Sequence, residues 1–197
     1  FMRAKVAMSS DHKSVFTSKQ RKWITGIPAR NDVQRLRAEA DIILTGSGTI
    51  NEDSPSMNVR AKKIIANKNF SQPARYVFSN DLKLDWTAPF FKLPGQKVVV
   101  TSKKNLPKLP SGIKDISVMK LKKRNSLSPN DFVKKISKLN INNILIEAGP
   151  KLLGSFGDYN LIDEYIFYIS QEKLEDKALY FYGGSKQLNF FDNKLFD

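Results

Sequence analysis

Cysteine is missing altogether from these 197 residues, and histidine occurs once, as His12. The first absence excludes disulfides, cysteine-ligated zinc, iron–sulfur clusters and thiol catalysis together. The second excludes a multi-histidine metal site, so no metal is expected, and leaves a single imidazole for general-base work. Long apolar runs are missing too: none approaches the roughly 20 residues that a membrane-spanning helix needs. The N-terminal FMRAKVAMSSD shows neither a signal-peptide core nor a cleavage site. A cytoplasmic protein without membrane attachment is the expectation. Negative charge is scarce, with 19 Asp and Glu against 33 Lys and Arg, for a net charge of +14. That balance raises nucleic acid, acidic membranes and phosphorylated small molecules as partners. Most of the excess is lysine mixed with Asn and Ile along the whole chain, the bias an AT-rich genome imposes on any solvated surface. No basic helix-turn-helix or basic–aromatic RNA signature accompanies it, so nucleic acid is not the expected partner.

What is present suffices for one folded domain over 1–197: 41% of residues are hydrophobic and 11% aromatic, well outside the disordered range. Arg3–Met8 reads as a strand, and Ser9–Ser14 as a polar loop. From Pro28 to Ala40 the spacing of Val33, Leu36 and Ala40 predicts a helix, with Arg30 and Arg37 near one another on one face. Ile42–Leu44 is a strand running into a glycine loop. Short apolar runs follow at 63–66, 75–79, 97–101 and 116–121, separated by turn residues. Residues 129–139 form an amphipathic pattern with Phe132, Val133, Ile136 and Leu139 inward, Ser128 as N-cap and Asp131 in the first turn. Asn143–Glu147 and Asp163–Ser170 are further strands. Strands alternating with helical stretches predict an α/β domain with a mostly parallel central sheet flanked by helices.

Two strand-to-helix junctions could carry chemistry. In TGSGTINEDSP (45–55) the glycines permit close backbone approach to a ligand or an anion-binding nest, although a plain turn reads equally well. The third glycine of a dinucleotide fingerprint is lacking, and no helical run is read from Thr49 onward. In IEAGPKLLGS (146–155) a helix starting at Pro150 would aim free N–H groups at a phosphate beyond a strand end, or merely connect two elements. Lys151 is a phosphate ligand or exposed charge. Arg37 and Arg60 are a phosphate clamp or surface charge. Asp53 is an acid, a ribose ligand or a turn residue, and Trp23 a stacking platform or core.

KVAMSSD (5–11), KWITG (22–26), DVQRLRAEADIILTGSGT (32–49), EDSPSMNVR (52–60), QPARYVFS (72–79) and LIEAGPKLLGSF (145–156), in that order and spacing, resemble the reductase domain of the bifunctional riboflavin-biosynthesis deaminase/reductase. The resemblance runs from about residue 3 to residue 170. It implies a dihydrofolate-reductase-like fold, a homodimer, and NADPH-dependent reduction of 5-amino-6-(5-phosphoribosylamino)uracil to the ribitylamino product by hydride transfer to C1′. By position, Ala7, Trp23, Thr49, Asp53 and Ser79, with Gly149, Pro150, Lys151, Leu152, Leu153, Gly154 and Ser155, match cofactor-binding residues. Arg37, Met57, Arg60 and Glu147 match substrate ligands. Lys5 and Asp53 are the candidates for proton supply.

The sequence also departs from the family pattern. Arg21 stands for a serine that touches substrate, His12 for a glycine, and Met57 for the usual Leu. No H-x-E or P-C-x-x-C deaminase pattern occurs, so a stand-alone reductase with the deaminase on another polypeptide is expected. The alternatives are a reductase of the undeaminated diaminopyrimidine, an inactive homologue partnering the deaminase, and a basic nucleic-acid-binding module.

Overall fold

Alternation sets how the first strand sits. In β1 (Met2–Ser9) Met2, Ala4, Val6 and Met8 are buried, while Arg3, Lys5 and Ala7 are only partly covered. Successive strand side chains point to opposite faces, so the polar set shares one side. The computed structural model describes residues 1–16, 26–122, 126–174 and 178–186. A seven-stranded sheet is built from β1, β3 (Ile42–Gly46), β4 (Ala74–Phe78), β5 (Lys97–Thr101), β6 (Ile116–Lys120), β7 (Ile144–Ile146) and β8 (Glu164–Ser170). Its order is β6-β5-β4-β3-β7-β1-β8 with every pairing parallel. The polar stretch after β1 is not all loop: β2 (Lys13–Phe16) pairs antiparallel with β9 (Ala178–Tyr180) in a small second sheet.

A parallel sheet must be covered on both faces. One face packs Ala4, Val6, Leu44, Tyr76, Phe78 and Ile146 against α5 (Pro129–Ile136) and α6 (Pro150–Asp158). There Phe132 meets Phe78, Phe156 and Tyr76 edge-on, with ring centroids 5.1, 6.0 and 6.2 Å away. The other face buries Ile43, Val77 and Val99 beneath Ile50, Met57 and, from α4 (Pro89–Lys92), Phe90 and Phe91. α1 (Ile27–Glu39) lies on this second side. It is tied to β1 and β8 by Tyr168 Oη donating to Asp32 at 2.7 Å, then Asp32–Arg35, Arg35–Glu39, Glu39–Arg3 and Arg3–Glu164 pairs of 2.8, 2.7, 3.1 and 2.5 Å.

The expected α/β class, parallel sheet and flanking helices are all present. Two local expectations need correction, and one apolar run takes its element. A helix, α2 (Ser47–Asp53), does follow the glycine loop; only Ile50 of its residues is buried, so apolar periodicity could not reveal it. The 63–66 run belongs to a helical turn, α3 (Lys62–Ile65), with no buried residue. Leu139 lies beyond the end of α5 and is exposed rather than inward. The Ser128 cap is as expected, its side chain accepting from the Asp131 N–H at 3.3 Å. Ser128→Ala should therefore lower stability by about 1 kcal/mol, read as a reduced midpoint of urea unfolding at unchanged slope. An unmoved midpoint would remove the cap from the account.

Candidate active site at the carboxyl ends of the strands

The register of the sheet assembles the site. Ala4 and Leu44 both face Ile146 across β7, and Thr45 faces Val77 on β4. One residue further along each strand, Lys5, Glu147 and Thr45 therefore fall in one row on the α1 side. Glu147 is buried at 6% exposure at the end of β7, where its N–H donates to Leu44 O at 2.9 Å. Arg37, reaching down from α1, grips its carboxylate with both edges of the fork: Nε to Oε1 at 2.6 Å and Nη2 to Oε2 at 3.0 Å. Lys5 Nζ stands 3.6 Å from Oε2 on the other side. Burial alone would push the Glu147 carboxyl up, but the charges of Arg37 and Lys5 outweigh it and hold the group down at about 2. The result is a fixed carboxylate with a cation on each side.

Arg37 also donates Nη1 to Asn58 O at 3.1 Å, drawing in the loop that carries Met57 and Arg60. Met57 is buried and holds φ at 45°, and Ser54, after α2, holds φ at 44°. Left-handed conformations at non-glycine residues are strained and persist where the surroundings hold them. Arg60 donates to Ser56 Oγ. Partial burial pulls its guanidinium below the usual value, the Arg37 charge adds to that, and Glu147 opposes it, which places Arg60 in the field of the same cluster. Of the two arginines, Arg37 is engaged with Glu147 and Asn58, and Arg60 presents the more exposed guanidinium. Thr45 Oγ1 and Asn58 Oδ1 lie buried without a hydrogen-bond partner among the described residues.

β3 and β7 are neighbours, and each runs directly into a helix whose start carries no side-chain cap, at Gly46 and Gly149. Among the described residues a Cβ on Gly48 would meet nothing within 4 Å, and one on Gly149 only Thr49 Oγ1 at 3.9 Å. Packing among the described residues does not require glycine at either place, and both leave the backbone open to close approach. Ala7 is half-buried opposite Tyr168, and Ser79, at the end of β4, accepts from the Leu82 N–H at 3.1 Å. Asp53 is the exposed last residue of α2. In α6, Lys151 is exposed at the first turn and Leu152 half-buried against Gly46, 3.6 Å from where its Cβ would be. Leu153 is in the core, Gly154 packs on the backbone of Gly183–Gly184, and Ser155 Oγ donates back to Leu152 O at 2.8 Å. Trp23 and Arg21 lie outside the described residues.

Residues 1–171 match the family described as the RibD C-terminal domain. The chain belongs to that family. The riboflavin biosynthesis protein RibD of Buchnera aphidicola subsp. Baizongia pistaciae is 34% identical, over 98% of this chain and 52% of its own length. The 5-amino-6-(5-phosphoribosylamino)uracil reductase of Buchnera aphidicola subsp. Acyrthosiphon pisum is 32% identical, over 80% of this chain and 78% of its own. The structure of Acinetobacter baumannii RibD superposes with a TM-score of 0.80 at 28% identity, over 95% of this chain and 51% of that one. This RibD C-terminal domain chain spans about half the length of the curated RibD relatives it matches. No helix among its described residues is long and apolar enough to cross a membrane, and no three His, Asp or Glu among them gather as a metal site.

Sequence reading of this RibD C-terminal domain passed over Gln34, Gln72, Arg75 and Thr45. Gln34 could have been found, since it sits one turn before Arg37 on the helix face that carries it. The others depend on contacts made across strands and loops.

Proposed function

We propose that this chain is the NADPH-dependent reductase that converts 5-amino-6-(5-phosphoribosylamino)uracil into its ribitylamino product in riboflavin biosynthesis. The observation that carries the reading is the Lys5–Glu147–Arg37 cluster, set at the carboxyl ends of adjacent strands beside the uncapped start of α6. Ligands of parallel α/β sheets bind at such strand ends. The N–H groups of the first turn of α6, with Lys151, suit the cofactor's phosphates, and Gly48 and Gly149 leave room for it. NADPH, when bound, supplies the hydride for C1′ of the opened ribose.

The residues of the chain do the rest. The Glu147 carboxylate accepts from substrate N–H or O–H groups, and Arg37 keeps it in one orientation. Lys5 Nζ, held against Glu147, is placed to give a proton to the reacting sugar oxygen or nitrogen; Asp53 is the second candidate. Arg60 binds the 5-phosphate. No bond to the protein forms, so catalysis comes from holding the donor and acceptor carbons together. The reading includes a homodimer and a deaminase that supplies the substrate from elsewhere, on another polypeptide or another domain.

The test is NADPH oxidation with the deaminated substrate, repeated with the undeaminated diaminopyrimidine. Turnover is expected with the former, and in Arg60→Ala the KM for that substrate should rise about fiftyfold, as for a lost charge-assisted contact to phosphate. Preference for the diaminopyrimidine would reassign the substrate. No turnover with either, while NADPH still raises the melting temperature, would make the chain an inactive homologue.

A further inference from the structure

Residues 56–60 carry two of the proposed substrate ligands, and their main-chain groups are bonded, among the described residues, by side chains. Arg75 Nη1 donates to Ser56 O at 3.3 Å, and Arg37 Nη1 to Asn58 O. Gln72 acts as a strand partner would, accepting from the Val59 N–H at 2.9 Å and donating to Val59 O at 2.8 Å. Gln34, buried at 8% exposure, accepts from the Arg60 N–H at 2.6 Å. The anchors come from three separate places: α1, the turn before β4, and β4 itself. The Arg75 guanidinium is buried at 1% exposure and also bonds Leu93 O and Pro94 O at 2.7 Å each, so it ties the loop to the next strand connection as well.

We infer that Gln34 and Gln72 are positioning residues that fix the main chain at Val59–Arg60, and so determine how strongly Arg60 holds the phosphate of the substrate. The inference rests on the reductase reading above. Its physical basis is that a loop without backbone partners is held only as well as the side chains that bond it. Met57 within it, and Ser54 just before it, already sit in left-handed conformations that favour escape. Gln34 carries the larger share, because it bonds the Arg60 main chain directly from the helix that also presents Arg37 to Glu147. One helix face therefore sets both the carboxylate and the phosphate ligand, three residues apart.

Gln34→Leu keeps the size of the side chain and removes the acceptor. Its KM for the phosphorylated substrate should rise about tenfold, with kcat and the KM for NADPH within about twofold of wild type. The same substrate without its 5-phosphate should be turned over by Gln34→Leu as well as by the wild type, and Gln34→Leu should add nothing in an Arg60→Ala background. Gln72→Ala, at a more exposed position, should give the same pattern in weaker form and serves if Gln34→Leu does not fold. Equal losses on both substrates, additive losses with Arg60→Ala, or wild-type kinetics in both variants would overturn the inference. A wild-type protein that turns over neither substrate would instead remove the reductase reading and this inference with it.

Discussion

Gly154→Ala is expected to be among the most damaging single-methyl changes in the protein. A Cβ at Gly154 would stand 2.1 Å from Gly184 N and 2.5 Å from Gly183 C. Those are backbone atoms, so no flexible side chain can swing aside. The segment they belong to is itself held: Gly183 N donates to Pro150 O at 3.2 Å, and Asp158 accepts from Ser185 N, Ser185 Oγ and Lys186 N at 2.8, 2.8 and 2.9 Å. These bonds, and that of Tyr182, hold the Asp158 carboxyl far below its usual range. Alanine must therefore either push α6 outward or undock residues 181–186. Overpacking of this kind costs on the order of 3 kcal/mol. Thermal unfolding should show a drop of many degrees, and hydrogen exchange should quicken at 181–186. Because Gly183 sits against Pro150, at the first turn of α6, affinity for NADPH should fall as well. Wild-type melting and exchange would show that the segment does not rest on α6.

Glu147→Gln is expected to harm stability and activity together, for a different reason. The substitution hardly changes shape, but it leaves Arg37 and Lys5, with side chains 11% and 21% exposed, facing each other across a neutral amide. Removing one partner of a buried ion pair costs about 3 kcal/mol. Turnover should fall by orders of magnitude, since the row loses its only anion and Arg37 its orientation. The pH dependence separates this cause from simple misfit. Glu147 is lowered from 4.5 to about 2 in the folded protein, so between those values the unfolded chain binds more protons and stability rises with pH. Its contribution is complete above about 4.5 and is lost as pH falls toward 2. The wild-type melting temperature should thus decline more steeply over that window than that of Glu147→Gln. Parallel declines would mean that the carboxylate is not held as described.

Much of this could be read before any coordinates, where local chemistry and burial agree. α5 is amphipathic and capped by its own Ser128, and α6 starts at Pro150, so both were legible. α2 was not, because a helix that buries only Ile50 and contains Gly48 has neither the periodicity nor the propensity to declare itself. Family resemblance pointed to Arg37, Arg60 and Glu147 as ligands, but their division of labour was hidden. The Arg37–Glu147 bond joins residues 110 apart, and only the insertion of β7 between β3 and β1 brings them face to face. The glutamines were hidden more deeply, since an exposed-looking amide reveals its role only by the main-chain group it bonds.

The strand order has a consequence for the chain as it leaves the ribosome. β3 pairs with β4, β4 with β5 and β5 with β6, so that half of the sheet can form as it is made. β1, the first strand of this domain, pairs among the described residues with β7 and β8, and both come late in it. Until residues 144–170 emerge, Met2, Ala4, Val6 and Met8 stay without their sheet, a sticky segment waiting beside a half-built domain. The Lys5–Glu147–Arg37 cluster lies on that seam, so it cannot assemble until β7 has joined β1, a pairing of residues far apart in sequence.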